Sequence, residues 1–333
     1  MRLLLPWLML ATCVTAFDAQ ACKVPTTYQR PEAFREYDSQ HRQWIRSVAE
    51  RLALDTDPQI AWTGVMLVSS MNGALPDAAS LPPLPTTGVG RFMQYLACDD
   101  GKHCPEMLTR WVDTEPDNAF VLALALADDD RDESDDALTD SLRDKLAHAT
   151  RYDDYYLAVQ MLGDAIAARI DLTPPPTPPG YKPRPCSFLY DTSFSTLLTV
   201  TGSATNAPEA LLYGPPLDPA LRLKLADLLI ATPRSVQAVG IGAKLGMSAT
   251  TRPIDRERYC TIEARADALV DVAEWLLTEP EARQFGHLRR FHQALKTRNG
   301  LDAIDAITAQ LPPNHRPAPI DPSQIAACVA ERD

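Results

Sequence analysis

Six cysteines follow residue 16: Cys22, Cys98, Cys104, Cys186, Cys260 and Cys328. An even set of thiols in a chain bound for an oxidising compartment predicts disulfides. Cys98 and Cys104 flank Asp-Asp-Gly-Lys-His, a polar turn. Closing so small a loop stabilises by about 2–3 kcal/mol on chain-entropy reasoning. With that local pair set aside, three pairings of the other four are open. The preferred one ties Cys260 to Cys328, fastening a tail helix to a long helix, and leaves Cys22 with Cys186. Zinc at Cys98, His103 and Cys104 would need a fourth ligand, and no second Cys or His pair has suitable spacing, so no metal site is expected.

Other reactive residue types are sparser. Asp128, Asp130, Asp132 and Ser134 place oxygens at alternate positions, as a calcium loop does. The central glycine and closing glutamate of an EF-hand are replaced by Glu133 and Thr139, so the run reads as a solvated acidic loop capping the next helix. The same three aspartates are candidates for meeting a basic partner. Tyr152, Tyr155 and Tyr156 form an aromatic knot at a helix start; such rings anchor binding surfaces or fill helical cores, and Tyr155 with one neighbour is assigned to the core. His287 and His292 stand among Arg283, Arg289 and Arg290 and predict an exposed basic helix face. Glu50, Glu115 and Glu263 lie beside apolar helical faces and are expected at the surface. Gly-x-Ser-x-Gly, Ser-x-x-Lys and His-Glu-x-x-His are all missing from the sequence. Gly240-Ile241-Gly242-Ala243-Lys244-Leu245-Gly246 lacks the preceding strand of a dinucleotide fold and predicts close helix packing or a broken helix. No cofactor is implied.

The elements that must position these residues are helical. Apolar residues at Phe34, Tyr37, Trp44, Ile45, Val48 and Leu52 fall at helical steps after Pro31. Asp57-Pro58 opens a second helix, ended by Asn72-Gly73. Further helices are expected at about 105–112, 116–127, 135–149 and 153–170. Seven of the thirteen residues from Thr173 to Pro185 are proline, a linker or strap that could span about 40 Å. Helical spacing resumes from Asp218-Pro219, then over 233–247, and over 256–277 with a stripe of Leu269, Val270, Ala273, Leu276 and Leu277. Glu279-Pro280 opens the next helix, Gly300 interrupts it, 301–311 completes the pattern, and a tail helix from Pro322 carries Cys328. Strand patterning is confined to a weak possibility near 199–201. The fold is predicted to be all-α, disulfide-stabilised, with an N-terminal helical domain over 17–172, the proline strap over 173–185 and a second helical half over 186–333.

The stretch Trp111-Val112-Asp113-Thr114-Glu115-Pro116-Asp117-Asn118-Ala119 resembles the junction between tetratricopeptide repeats: a helix ends in an acidic residue and proline, and Asn-Ala leads into the next helix. Ala119, Ala123, Ala125 and Ala127 would be its small packing residues. The resemblance covers about Cys104–Arg169, and the 34-residue period does not recur. It implies stacked helical hairpins in the first half and a concave face for a protein or peptide.

Met1 and Arg2 precede an almost wholly apolar run from Leu3 to Val14, and Val14-Thr15-Ala16 has the small-x-small form of a signal-peptidase site. Residues 1–16 therefore read as a secretory signal that removes Cys13. Cleavage after Ala21 is the other possibility. A lipid anchor on Cys22 is disfavoured by Ala19 and Asp18 upstream. The net charge of −12, without a basic stripe, argues against nucleic acid, and no later segment is apolar enough to span a bilayer. The expectation is a periplasmic or secreted protein of a Gram-negative envelope, non-catalytic, that binds another envelope protein or peptide. The alternatives are a carboxylate-dependent hydrolase of peptidoglycan or glycan, and an inhibitor or immunity protein for a secreted hydrolase.

Overall fold

The computed structural model describes residues 31–72, 80–98, 105–126, 136–173, 175–180, 211–212, 217–231, 235–278 and 286–331. It is all-α, with no β-strand among those residues. Residues 1–16 read as a signal, Cys22, Cys104, Cys186, the acidic run with Asp128, Asp130 and Asp132, the strand expectation near 199–201, and Glu279-Pro280 lie outside them.

Among the described residues, seven helices precede the strap: α1 Glu32–Ala53, α2 Pro58–Asn72, α3 Gly88–Ala97, α4 Pro105–Thr114, α5 Ala119–Leu126, α6 Asp136–His148 and α7 Tyr156–Arg169. The described residues after it form α8 Pro219–Ala231, α9 Val236–Ala249, α10 Pro253–Thr278, α11 His287–Leu295, α12 Gly300–Thr308 and α13 Pro322–Ala330. Successive helices pack against one another from α1 through α6, and again from α8 to α10; α11 pairs with α12.

Local chemistry explains most boundaries. Asp57 Oδ1 accepts from the Gln59 amide at the start of α2, and Thr87, Ser235 and Asn299 cap α3, α9 and α12 through their side chains. The helix expected from Pro116 begins at Ala119, because Asn118 Oδ1 takes the Phe120 amide at 3.2 Å. Every residue of α5 is buried, as expected for a helix apolar all round and packed at the centre. On α10 the inward stripe contains Leu269, Val272 and Leu276, while Val270 is 46% exposed.

Two of the glycines of α9, Gly242 and Gly246, are packing residues in an unbroken helix. A Cβ on Gly242 would lie 2.6 Å from the Leu229 Cβ of α8, and one on Gly246 would lie 2.4 Å from the Tyr259 ring of α10. Both neighbours of α9 therefore approach as closely as a bare Cα allows.

The proline strap does not divide the core. One buried cluster runs from Val48 and Trp62 through Trp111, α5 and Tyr155 to Leu225, Leu229 and Leu245 on α8 and α9. A second joins Tyr156 to Val239, Leu269, Phe291, Leu295 and Ile304. The α13 tail buries no side chain. It is held to α10 by the Cys260–Cys328 disulfide, the pairing preferred from sequence, and by Arg256, whose guanidinium donates to the carbonyls of Cys328 and Glu331. Cys98 is disulfide-bonded too.

Candidate functional site

Glu115 follows the last turn of α4 and is only 8% exposed. Burying a carboxylate without partners would cost several kcal/mol, and here five donors meet it. Trp111 Nε1 and Arg91 Nη1 donate to Oε1 at 3.0 and 3.3 Å. Arg151 Nη2 and Asn118 Nδ2 donate to Oε2 at 2.6 and 3.3 Å, and the Tyr155 hydroxyl donates to the same oxygen. Burial by itself raises the carboxyl pKa, but the bonds from Tyr155, Arg151, Trp111 and Asn118 outweigh it and hold Glu115 below the usual carboxylate range. Burial and the adjacent carboxylate push the Tyr155 hydroxyl far up.

The same residues join two distant segments. The Thr150 and Arg151 amides donate to the Asp117 carbonyl, and the Ala119 amide donates to the Arg151 carbonyl. Asn118 Oδ1 accepts from the Asp153 amide at 3.0 Å, and Arg151 Nε reaches Asp117 at 3.2 Å. Tyr155 sits in the left-handed region at φ 56°, a conformation that costs a non-glycine residue about 1 kcal/mol or more. Its hydroxyl bond to Glu115 and its stacking on Phe92, 5.7 Å between centroids, hold it there. A carboxylate has about four lone-pair sites; with five donors on them, Glu115 anchors helices and has no lone pair free to act as a base.

The neighbouring tyrosines are less satisfied. Tyr152, Tyr155 and Tyr156 are all buried, so the knot is core and offers no exposed aromatic anchor for a partner. Tyr152 packs edge-on to Phe120 at 5.8 Å, and Tyr156 edge-on to His292 at 6.2 Å. The hydroxyls of Tyr152 and Tyr156 and Nε2 of His292 make no hydrogen bond. Burial, reinforced by the charge of Asp154, pushes both hydroxyls up. The expected basic face of α11 is also revised. His287 is buried, with its ring 5.6 Å from Trp275, and His292 turns toward α7, leaving Arg289 and Arg290 exposed.

Burial lowers the His292 pKa to about 4. An unfolded histidine titrates near 6.5, so below that pH the unfolded chain gains a proton that the folded one refuses, and stability falls from pH 6.5 toward 4. His292→Phe removes the titration and the orphaned nitrogen. The variant is expected to lose about 1–2 kcal/mol less than the parent between pH 7 and pH 5 in urea denaturation.

A third cluster lies under the tail. Met247 Sδ is 3.5 Å from Cys260 Sγ and 3.2 Å from Cys328 Sγ. Glu263 Oε2 is 4.0 Å from Cys328 Sγ, and Lys244 Nζ is 3.8 Å from Glu263 Oε1. Burial raises the Glu263 pKa against the pull of Lys244. Of the three glutamates expected at the surface, only Glu50 is exposed; Glu115 is internal and Glu263 half-buried.

No group of three or more His, Cys, Asp and Glu among the described residues is placed to hold a metal ion, and none of their helices is long and apolar enough to cross a membrane. Comparison with protein-family models, with curated proteins and with solved structures found no match.

Proposed function

We propose that this chain is an exported, periplasmic or secreted protein that binds another envelope protein or peptide without catalysing a reaction. The observation carrying the reading is the outer face of α7. Met161 is 60% exposed there, and Ala165 and Ala168 continue the same stripe at four- and three-residue steps, also exposed. The helix bearing them is fixed at both ends. The Glu115 anchor holds its N-terminal approach, and Arg169 Nη1 reaches Asp55 and Asp57 at 3.7 and 3.9 Å at its C-terminus. A rigid helix offering a flexible thioether among small residues suits an apolar segment of a partner. The disulfides support export, since such bonds persist in oxidising compartments.

The test is site-specific photocrosslinking in cells, with the photoreactive residue at position 161, read by mass spectrometry. A single heterologous conjugate, lost when Ala165→Glu is added, is expected. Conjugates only to the chain itself, or a heterologous conjugate indifferent to Ala165→Glu, would overturn the α7 assignment.

One observation favours the hydrolase alternative. Glu263 is a carboxyl of raised pKa with the charges of Asp267 and Glu331 nearby, the pattern of a general acid. Release of reducing sugars or muropeptides by the oxidised protein, abolished in Glu263→Gln, would favour that reading over the binding one.

A further inference from the structure

The three sulfur atoms of Met247, Cys260 and Cys328 converge where α9, α10 and α13 meet. Both cysteine sulfurs lie within 3.5 Å of the Met247 thioether, and the two cysteine Cα atoms are 5.9 Å apart. We infer that, once the disulfide is reduced, Cys260, Cys328 and Met247 form a three-coordinate site for a soft monovalent metal ion such as Cu(I).

Ligand chemistry supports this choice. Thiolates and thioethers select soft ions, whereas zinc takes four ligands drawn from thiolate, imidazole and carboxylate. With metal–sulfur bonds of about 2.3 Å, as for zinc thiolates, a trigonal site has sulfurs about 4 Å apart. The two Met247 contacts need to open by less than about 1 Å to meet that spacing. The two cysteine sulfurs are bonded to each other and must separate before both can ligate a metal as thiolates, which is why reduction comes first.

The way in is open. Cys328 and Met247 are partly exposed, Cys260 is buried, and the helix carrying Cys328 has no buried side chain of its own. A thiolate of a dithiol reductant attacks Cys328 Sγ, forming a mixed disulfide and expelling the Cys260 thiolate. The reductant's second thiolate then attacks its own sulfur in that mixed disulfide. Cys328 leaves as a thiolate, and the reductant departs as its disulfide with both electrons accounted for. A monovalent ion then takes the place of the thiol protons. It leaves one net negative charge, beside Glu263 Oε2 at 4.0 Å from Cys328 Sγ and the Lys244 ammonium paired with that carboxylate.

The test uses the full mature chain, reduced with dithiothreitol, desalted without oxygen, and titrated with Cu(I) against a chromophoric chelator, with stoichiometry read by native mass spectrometry. All variants retain the other cysteines, so differences isolate this site. The parent is expected to bind one more Cu(I) than Cys260→Ala/Cys328→Ala, and the oxidised parent should lose that equivalent. Met247→Leu keeps volume and is expected to weaken the equivalent at least tenfold. Equal stoichiometry in the parent and the double cysteine variant, unchanged affinity in M247L, or preferential uptake of Zn(II) at this equivalent would each overturn the assignment.

Discussion

Glu115→Ala is expected to lower the unfolding free energy by about 3–5 kcal/mol, the range for removing one partner of a buried charged network. The loss comes less from the bonds themselves than from what remains. The Trp111 indole N–H and the Tyr155 hydroxyl stay buried with no acceptor, the Asn118 amide keeps only the Asp153 carbonyl and the Tyr155 oxygen, and Arg151 keeps only Asp117 and Asp153. Buried donors left unmade cost about 1–3 kcal/mol each before relaxation. Tyr155 would also lose the bond that holds its left-handed backbone. Glu115→Gln keeps the shape but turns an NH₂ group toward other donors, and is expected to recover only part of the loss. The effect must depend on pH in one direction. The folded carboxyl titrates below its ordinary value, so its contribution is complete above the unfolded pKa of about 4.3 and disappears as pH falls through the folded value. Denaturant titrations at pH 7 and pH 3.5 should therefore show the gap between parent and E115A narrowing in acid. A constant gap would mean that Glu115 is not the charged centre of the network.

Gly64→Ala is expected to be comparably severe, at about 3 kcal/mol or more. A Cβ there would lie 2.2 Å from the Ala53 nitrogen and 2.6 Å from the Ala49 carbonyl oxygen. Both are backbone atoms of α1, so no rotamer change relieves the clash and the two helices must separate. That opens the contact among Val48, Ala49, Leu52 and Val65, all of which are buried. Gly240→Ala provides the contrast. Its new Cβ would meet only the Ala266 Cβ, at 3.4 Å, and the helix-propensity gain of about 0.8–1 kcal/mol then has nothing to oppose it. Thermal unfolding should shift downward for G64A and slightly upward for G240A. The same sign for both would show that helix propensity, not closeness of approach, governs these positions.

The parts of this architecture carried by local pattern were legible in the sequence. Helical spacing placed most of the helices, though not α3, which starts in a stretch crowded with Gly, Pro and Thr, and the glycine run of α9 was readable as close packing or a broken helix because no strand preceded it. The parts carried by distance were not. Glu115 stands between acidic residues and a proline and looks like a loop residue; its partners Arg91, Arg151 and Tyr155 are 24, 36 and 40 residues away. A partial signal was present, since Trp111, Glu115 and Asn118 fall at helical steps, as do Arg151 and Tyr155. His292 was obscured by the arginines beside it, although Phe291 and Leu295 on the same helix mark the direction of the core. Met247 leaves no signal in cysteine and histidine spacing, since its thioether meets Cys260 and Cys328 only through the packing of three helices. The strap suggested two halves, yet leucines on either side of it share one interior, and composition alone carries no record of that.

The Cys260–Cys328 bond has a mechanical consequence. A pull on the C-terminus passes from α13 directly into α10, and the load path bypasses everything between the two cysteines. Their sequence separation is 68, so a length of chain worth about 230 Å when fully extended, at roughly 3.4 Å per residue, is hidden from tension. Helices α11 and α12 lie inside that shielded loop. While the bond is closed, a partner or an anchoring surface that tugs on the tail strains the long helix and the core beneath it; once it is reduced, the same tug unspools the loop.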